Sequence, residues 1–334
     1  MDVETKLDIL KSLPTEEIIV EDEMKSLLET NDRPKHYIGF EVSGKMHIGT
    51  LILSGMMINR FSKAGFRTTV FLADWHAWIN NKLGGDLEKI KLASDYFEEG
   101  FKFFCPGVKI VRGSEIYDGD YWRNVVLFSK KTTLSRTTRC LTIMGRSEKE
   151  KLDTAQYFYP SMQAVDIHTL GVDVAHAGMD QRKIHVLARE VFPRLKWKVP
   201  VALHHHILPG LKTNEKMSKS KPETAIFIHD SEEDIRRKIS KAWCPEKVVS
   251  GNPVAELMKY VIIPMKGEVT IERPEKFGGD ITVGENFAEL YEKGEIHPVD
   301  LKNNVARLLN EIVSPVREHF NNEKFKKVLE AISS

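Results

Sequence analysis

Apolar side chains recur along this chain in two rhythms, and the switching between them predicts the architecture. Leu7, Leu10 and Leu13 fall at near-helical spacing, and Met24, Leu27 and Leu28 repeat it, so residues 1–33 are expected to be helical. Asp32-Arg33-Pro34 breaks that stretch. A short apolar run over 37–42 ends in Ser43-Gly44 and reads as a strand entering a turn. Over 47–64, Ile48, Leu51, Ile52, Met56, Ile58 and Phe61 return to helical spacing. Residues 68–73 read as a buried strand and 89–104 as a helix; strand signals resume at 172–175 and 199–207, with a helical 180–191 between them. Strand and helix in alternation predict an α/β domain with a parallel sheet, over 34–222. Residues 105–158 are more mixed and more basic, with Lys130, Lys131, Arg136, Arg139, Arg146, Lys149 and Lys151, and read as an insertion. From about Glu223 the texture becomes charged amphipathic helices, such as 232–242 and 301–320, which predicts a separate all-helical domain over 223–334.

Composition narrows the class. Of 334 residues, 41% are hydrophobic, enough to bury a sizeable core and to exclude disorder as the main state. Lys+Arg is 49 against 48 for Asp+Glu, which excludes a general cationic coat but leaves a local basic patch open. Cys105, Cys140 and Cys244 are odd in number and widely spaced, unlike a disulfide framework or a zinc ribbon, and point to a reducing cytoplasm. The first thirteen residues lack an apolar signal core, and no stretch is long and apolar enough to span a bilayer. His204-His205-His206 would put two imidazoles on one strand face and one on the other, without a carboxylate or thiolate beside them, so no metal site is expected. Trp75, Trp78, Trp122 and Trp197 read as packing residues, the first two also as a wall near His76.

Two segments carry chemistry. Tyr37-Ile-Gly-Phe-Glu-Val-Ser-Gly-Lys-Met-His47-Ile-Gly-Thr50 is a strand entering a glycine turn, with a helix beginning near His47. Free N–H groups at a helix start favour phosphate, and Gly44 and Gly49 permit close approach. Alone, this is an ordinary strand–turn–helix with a surface histidine. Gly210-Leu-Lys-Thr-Asn-Glu-Lys216-Met-Ser-Lys219-Ser220-Lys221-Pro222 is a cationic loop whose ammonium groups suit a leaving pyrophosphate. Alone, it is a solvated basic loop.

Together, in this order, they resemble the paired signatures of class I aminoacyl-tRNA synthetases. Tyr159-Pro-Ser-Met-Gln163-Ala-Val-Asp166, Gly178-Met-Asp180-Gln181-Arg182-Lys183-Ile184-His185 and Leu72-Ala-Asp-Trp-His76-Ala are similar to the tyrosyl-tRNA synthetases of archaea and eukaryotes. The similarity runs from about Pro34 into the C-terminal helices. It implies a Rossmann-type catalytic domain with an inserted connective segment, a helical anticodon-binding domain, and a cytoplasmic homodimer. The run Val125-Val126-Leu127-Phe128 suits either that dimer interface or the core.

The resemblance also implies roles. Tyr37 and Asp166 would face the substrate phenol; Tyr159, Gln163 and Gln181 would hold the α-amino group, with His76 in the same pocket. His47, Thr50, Lys216 and Lys219 would be catalytic. Gly44, His47, Gly49, Lys216, Met217, Ser218, Lys219 and Ser220 would bind ATP, with Mg²⁺ arriving on the nucleotide. Arg139 and Arg182 would meet the first base pair of the acceptor stem of tRNA(Tyr). Phe277, His297 and Asp300 would read the first anticodon base. Taken by themselves, Phe277 has the alternative of a core aromatic, and Asp300 is equally an N-cap ahead of Leu301. One position departs from the pattern: Thr50 stands where the His-x-Gly-His signature has its second histidine, and it carries no positive charge. Two rivals follow: a tryptophanyl-tRNA synthetase, disfavoured by a Tyr37/Asp166 pair suited to a phenol, and a non-catalytic RNA-binding derivative, suggested only by Thr50.

Overall fold

The computed structural model describes residues 1–145, 151–212, 217 and 222–333, apart from the side chain of Phe277. The chain divides into two compact units. One comprises residues 1–44, 57–205 and 328–334, the other 45–56 and 206–327.

The first unit is built on strands β1 (Thr15–Ile19), β2 (Lys35–Phe40), β3 (Arg67–Leu72), β4 (Lys109–Arg112), β5 (Val174–Gly178) and β6 (Val201–His205). They form one sheet in the order β1-β6-β5-β2-β3-β4. Neighbours run parallel except β1, which is antiparallel to β6. Its helices are α1 (Val3–Lys11), α2 (Glu21–Thr30), most of α3 (Ser54–Lys63), α4 (Asp74–Ile79), α5 (Leu87–Phe104), α6 (Gly119–Ser129), α7 (Leu134–Cys140), α8 (Tyr159–Thr169) and α9 (Arg182–Val191).

Strand β6 is buried at every position, as a strand covered on both faces must be. The predicted apolar stripe of the N-terminal helices is used: Leu7, Leu10, Met24 and Leu28 pack with Phe61, Val174 and Leu203. A second cluster joins Tyr37, Phe71 and Ala175 to Phe128, Leu141 and Ala164.

Four strands differ from the sequence expectation. The N-terminal stretch contains β1, a five-residue strand with two glutamates and no long apolar run. Strand β4 lies inside the stretch read as insertion, because four residues are too few to show a period. The C-terminal region is not all helical. Alongside α10 (Glu232–Ser240), α11 (Pro253–Leu257), α12 (Ile263–Lys266), α13 (Phe287–Lys293), α14 (Pro298–His319) and α15 (Glu323–Ala331) it holds an antiparallel pair, β7 (Val269–Ile271) and β8 (Ile281–Val283). Both are short but β-branched throughout, which suits a pleated edge. The run 125–128 splits: Val125 and Phe128 are buried, Val126 and Leu127 exposed.

Candidate active site

Helix α8 aims three polar side chains in one direction. Tyr159, Gln163 and Asp166 are spaced i, i+4 and i+7, the spacing of one helical face. The Asp166 end is closed by aromatic residues from other elements. Tyr37 on β2 is buried against Phe71 of β3, ring centroids 5.9 Å apart. The Tyr121 hydroxyl on α6 donates to Asp166 Oδ1 at 2.8 Å. The Tyr117 hydroxyl lies 3.1 Å from His76 Nδ1.

Asp166 is 1% exposed, and its Oδ2 has no hydrogen-bond partner. That oxygen faces His76 Nε2, also unpartnered, at 3.6 Å. The pair is not an ordinary salt bridge. Burial pushes His76 down to about 3 and holds Asp166 well above the usual carboxylate range, because it penalises the charged form of each. Burial, and then the Asp166 charge, raises Tyr37 well above its ordinary value. Two orphaned polar atoms facing each other at the end of an aromatic slot are costly, and a ligand hydroxyl would satisfy both.

At the other end the amides are oriented by a chain of bonds. Gln181 Nε2 donates to the Ile143 carbonyl at 3.0 Å, which turns its Oε1 toward Gln163 Nε2, 3.1 Å away. The Gln163 amide oxygen is thereby left as an outward acceptor. The Tyr159 hydroxyl bonds Glu41 Oε1 at 3.3 Å, and Glu41 is also held by Asn80 at 2.7 Å and Lys82 at 3.3 Å.

Tyr117, Tyr121, Glu41 and Gly39 were given no role by the sequence reading, although Gly39 and Glu41 lie in the quoted segment 37–50. The first two lie in the aperiodic stretch after β4, where nothing singles them out. Gly39 had a signal, as it stands two residues from Tyr37 on the same strand face. A Cβ there would come within 2.5 Å of the Tyr37 hydroxyl.

The second unit carries His47 and Thr50. The His47 ring folds over the start of the helical turn Gly49–Leu53, which runs into α3. Its Nδ1 accepts from the Gly49 N–H at 3.1 Å, which places the proton of a neutral ring on Nε2, 3.2 Å from Thr50 Oγ1. Thr50 then accepts and keeps its own O–H to donate. A Cβ on Gly49 would meet that ring at 3.0 Å. Gly44, in the first unit, takes φ +75°, as the turn after β2 requires. Met217 is buried, whereas Lys216, Ser218, Lys219 and Ser220 lie outside the described residues.

The four described positions expected to meet tRNA are placed as follows. Arg139 on α7 donates to Ser135 Oγ at 3.0 Å. Arg182 opens α9 and is held in two bonds by Glu17 of β1. His297 and Asp300 line one open cavity of about 1580 Å³ in the second unit, with Arg273, Lys302 and Arg307. The capping alternative for Asp300 is corrected. The cap of α14 is His297, whose Nδ1 accepts from Val299 N at 3.2 Å, and Asp300 lies in the first turn. Pro298 sits at the first helical position, so the helix starts earlier than the apolar pattern indicates.

The three consecutive histidines go to different places. His204 bonds His185, His205 bonds His176, and His206 bonds Glu256 while stacking on Tyr260. Trp75 packs with Trp78, Trp122 and Tyr117, and Trp197 stacks on His168.

Comparison with known proteins agrees with this arrangement. The family described as tRNA synthetases class I (W and Y) matches residues 29–314. A tyrosine–tRNA ligase of Thermococcus kodakarensis is 48% identical, covering 99% of this chain and 98% of the relative. The crystal structure of a Pyrococcus horikoshii tyrosyl-tRNA synthetase complexed with L-tyrosine superimposes with a TM-score of 0.92 at 43% identity, covering 100% of both chains. A Plasmodium falciparum tryptophanyl-tRNA synthetase shares the fold alone, at 18% identity and a TM-score of 0.67, covering 98% of this chain and 91% of the other. The chain belongs to the class I tRNA synthetases of the W and Y family, on the tyrosine–tRNA ligase side of it.

Proposed function

We infer that this chain activates L-tyrosine with ATP and then transfers it to tRNA(Tyr). The observation that carries the substrate reading is the orphaned Asp166 Oδ2 facing His76 Nε2 at the end of an aromatic slot. A phenol O–H donates to the carboxylate and its oxygen accepts from Tyr37 and from His76. Phenylalanine leaves those groups unpaired. Sites of this kind reject the analogue lacking the hydroxyl by roughly 10⁵-fold, a figure that itself comes from tyrosyl-tRNA synthetases. An indole offers a donor and no acceptor for the Tyr37 hydroxyl, which disfavours tryptophan. The substrate ammonium goes to the Gln163 amide oxygen, with Tyr159 and Gln181 around it.

No side-chain nucleophile is required. A carboxylate oxygen of tyrosine attacks the α-phosphorus in line, the bond to the bridging oxygen breaks, and pyrophosphate leaves with the electron pair. His47 and Thr50 serve the phosphates from a helix start beside Gly44 and Gly49 in sequence. Lys216 and Lys219 of the segment 216–220 neutralise the leaving pyrophosphate, and Mg²⁺ enters as part of the nucleotide substrate. A ribose hydroxyl at the tRNA 3′ end then attacks the activated carbonyl and AMP leaves. Arg139 and Arg182 face the acceptor stem. Phe277, His297 and Asp300 read the anticodon from the region 223–334, which we assign as the anticodon-binding part, with 34–222 the catalytic part and 1–33 a leading segment. We assign a cytoplasmic homodimer. Three free cysteines support the location, and exposed Val126, Leu127 and Leu134 support the assembly.

The test is ATP–pyrophosphate exchange with each standard amino acid and no tRNA. Exchange with tyrosine alone is expected. Exchange with tryptophan would overturn the reading of Tyr37 and Asp166. No exchange at all would make the RNA-binding derivative the better reading.

A further inference from the structure

We propose that Glu17 is a positioning residue for tRNA recognition: it clamps one edge of the Arg182 guanidinium and turns the other edge outward to read a base. The proposal rests on the reading of Arg182 as an acceptor-stem contact.

Arg182 Nε donates to Glu17 Oε2 at 2.7 Å and Nη2 donates to Oε1 at 2.8 Å. These bonds use the side edge of the guanidinium. The Nη1 group and the second N–H of Nη2 form the remaining fork. That fork matches two adjacent acceptors, as on the major-groove edge of guanine. An arginine already neutralised by a carboxylate is a weak anchor for phosphate charge and keeps its directional bonds. Its contribution is therefore to specificity more than to affinity.

The clamp is itself held from behind. His204 Nδ1 lies 3.2 Å from Glu17 Oε2, and His204 Nε2 lies 3.0 Å from His185 Nδ1. The rings of His204 and His185 are buried. Hydrogen bonding by Arg182 keeps the Glu17 carboxyl below its ordinary range, so it is an acceptor. It follows that His204 carries its proton on Nδ1, accepts at Nε2, and receives the Nδ1 proton of His185. His185 Nε2 ends the chain without a partner. His185 stands three residues after Arg182 on the same helix, so the network closes a ring through α9, β1 and β6. Every proton in it is assigned, and neither Glu17 nor the arginine it holds can rotate without breaking a bond. A surface arginine has no use for such bracing unless its orientation matters.

The test measures aminoacylation kcat/KM for two transcripts: the cognate tRNA and one with the first acceptor-stem pair inverted. Each enzyme variant is read as the ratio between them, so general damage cancels. Arg182→Ala is expected to lose roughly five- to a hundredfold of the wild-type ratio, the worth of one bidentate base contact. Glu17→Gln should lose most of the same ratio, because an amide N–H then faces the guanidinium. Glu17→Asp, a milder second variant, should fall between. An unchanged ratio in Glu17→Gln alone overturns the clamp and leaves Arg182 as a contact. Unchanged ratios in both variants remove the Arg182 reading and the clamp with it. A rise in cognate kcat/KM for Glu17→Gln also overturns the proposal, since Glu17 would then mask Arg182.

Discussion

The first unit contains two histidine–carboxylate networks, one half-exposed and one buried, that were finished differently. Around Glu17, His204 and His185 every strong donor and acceptor is matched, and only one ring nitrogen at the chain end goes without a partner. Around Asp166 and His76 a carboxylate oxygen and a ring nitrogen are left facing each other, unbonded, 3.6 Å apart. A lone acceptor on a neutral imidazole is a small cost. An orphaned carboxylate oxygen is a large one, and a fold tolerates it where a ligand will complete it. The same residue types thus make a brace in one place and a binding site in the other, and the unsatisfied atoms tell them apart.

Asp166→Asn tests this difference most severely. Tyrosine kcat/KM in pyrophosphate exchange is expected to fall by roughly two orders of magnitude or more, and phenylalanine far less, so discrimination collapses. The same variant should be more stable than wild type at neutral pH, by about 1 kcal/mol or more in urea unfolding, because a disfavoured buried carboxylate is removed. A variant that keeps its tyrosine preference would show that the orphaned oxygen is not the phenol site.

Within these networks the histidines and Asp166 should answer pH with opposite signs. Burial pushes His76 and His185 down to about 3 from an ordinary 6.5. Between those values the unfolded chain holds more protons than the folded one, so stability rises with pH. The contribution is complete above 6.5 and is lost as pH falls toward 3, at up to about 1.4 kcal/mol per pH unit per group. Asp166 is raised, so its contribution is present below the ordinary 3.8 and lost as pH rises. Urea unfolding from pH 5 to 7 should therefore show a shallower pH slope in His185→Gln and a steeper one in Asp166→Asn. Equal slopes in all three proteins would refute the assignment.

Smaller effects probe the supports. Tyr121→Phe removes the donor to Asp166 Oδ1 and is expected to raise tyrosine KM about tenfold with little change in kcat. A change confined to kcat would place Tyr121 elsewhere in the reaction. Thr50→Val removes the acceptor of the His47 proton and should lower kcat of activation several-fold, about 1 kcal/mol, at nearly constant tyrosine KM. Thr50→His should likewise leave that KM nearly unchanged, and a large rise would give Thr50 another role.

Legibility in the sequence followed length and periodicity. The long amphipathic helices α5, α10 and α14 and the apolar strands β3, β5 and β6 were predicted close to where they lie, since burial on one face or both imposes a rhythm. Strands β1, β4, β7 and β8 were not: β1 has the length of β5 and β6 but carries two glutamates and only two apolar residues, and the other three have only three or four residues, so partners far along the chain decide them. Tyr37, Gln163, Asp166 and Gln181 were named from motifs, and the structure brings Gln163 to Gln181. Tyr117 and Tyr121, which shape the same pocket, stood in no motif, and Glu41 stood inside one without being given a role.

What the sequence determined by itself was the alternation that makes an α/β sheet, the helix face that aligns Tyr159, Gln163 and Asp166, and the glycines beside Tyr37 and His47. These are local consequences of backbone geometry and side-chain period. Only the tertiary structure decided which polar atoms find partners. Glu17 and Arg182 are far apart in sequence, as are Tyr121 and Asp166, and hydrogen-bond satisfaction is settled when distant elements close on one another. The chemistry of both networks lies in that pairing, and in the Asp166 and His76 atoms left out of it.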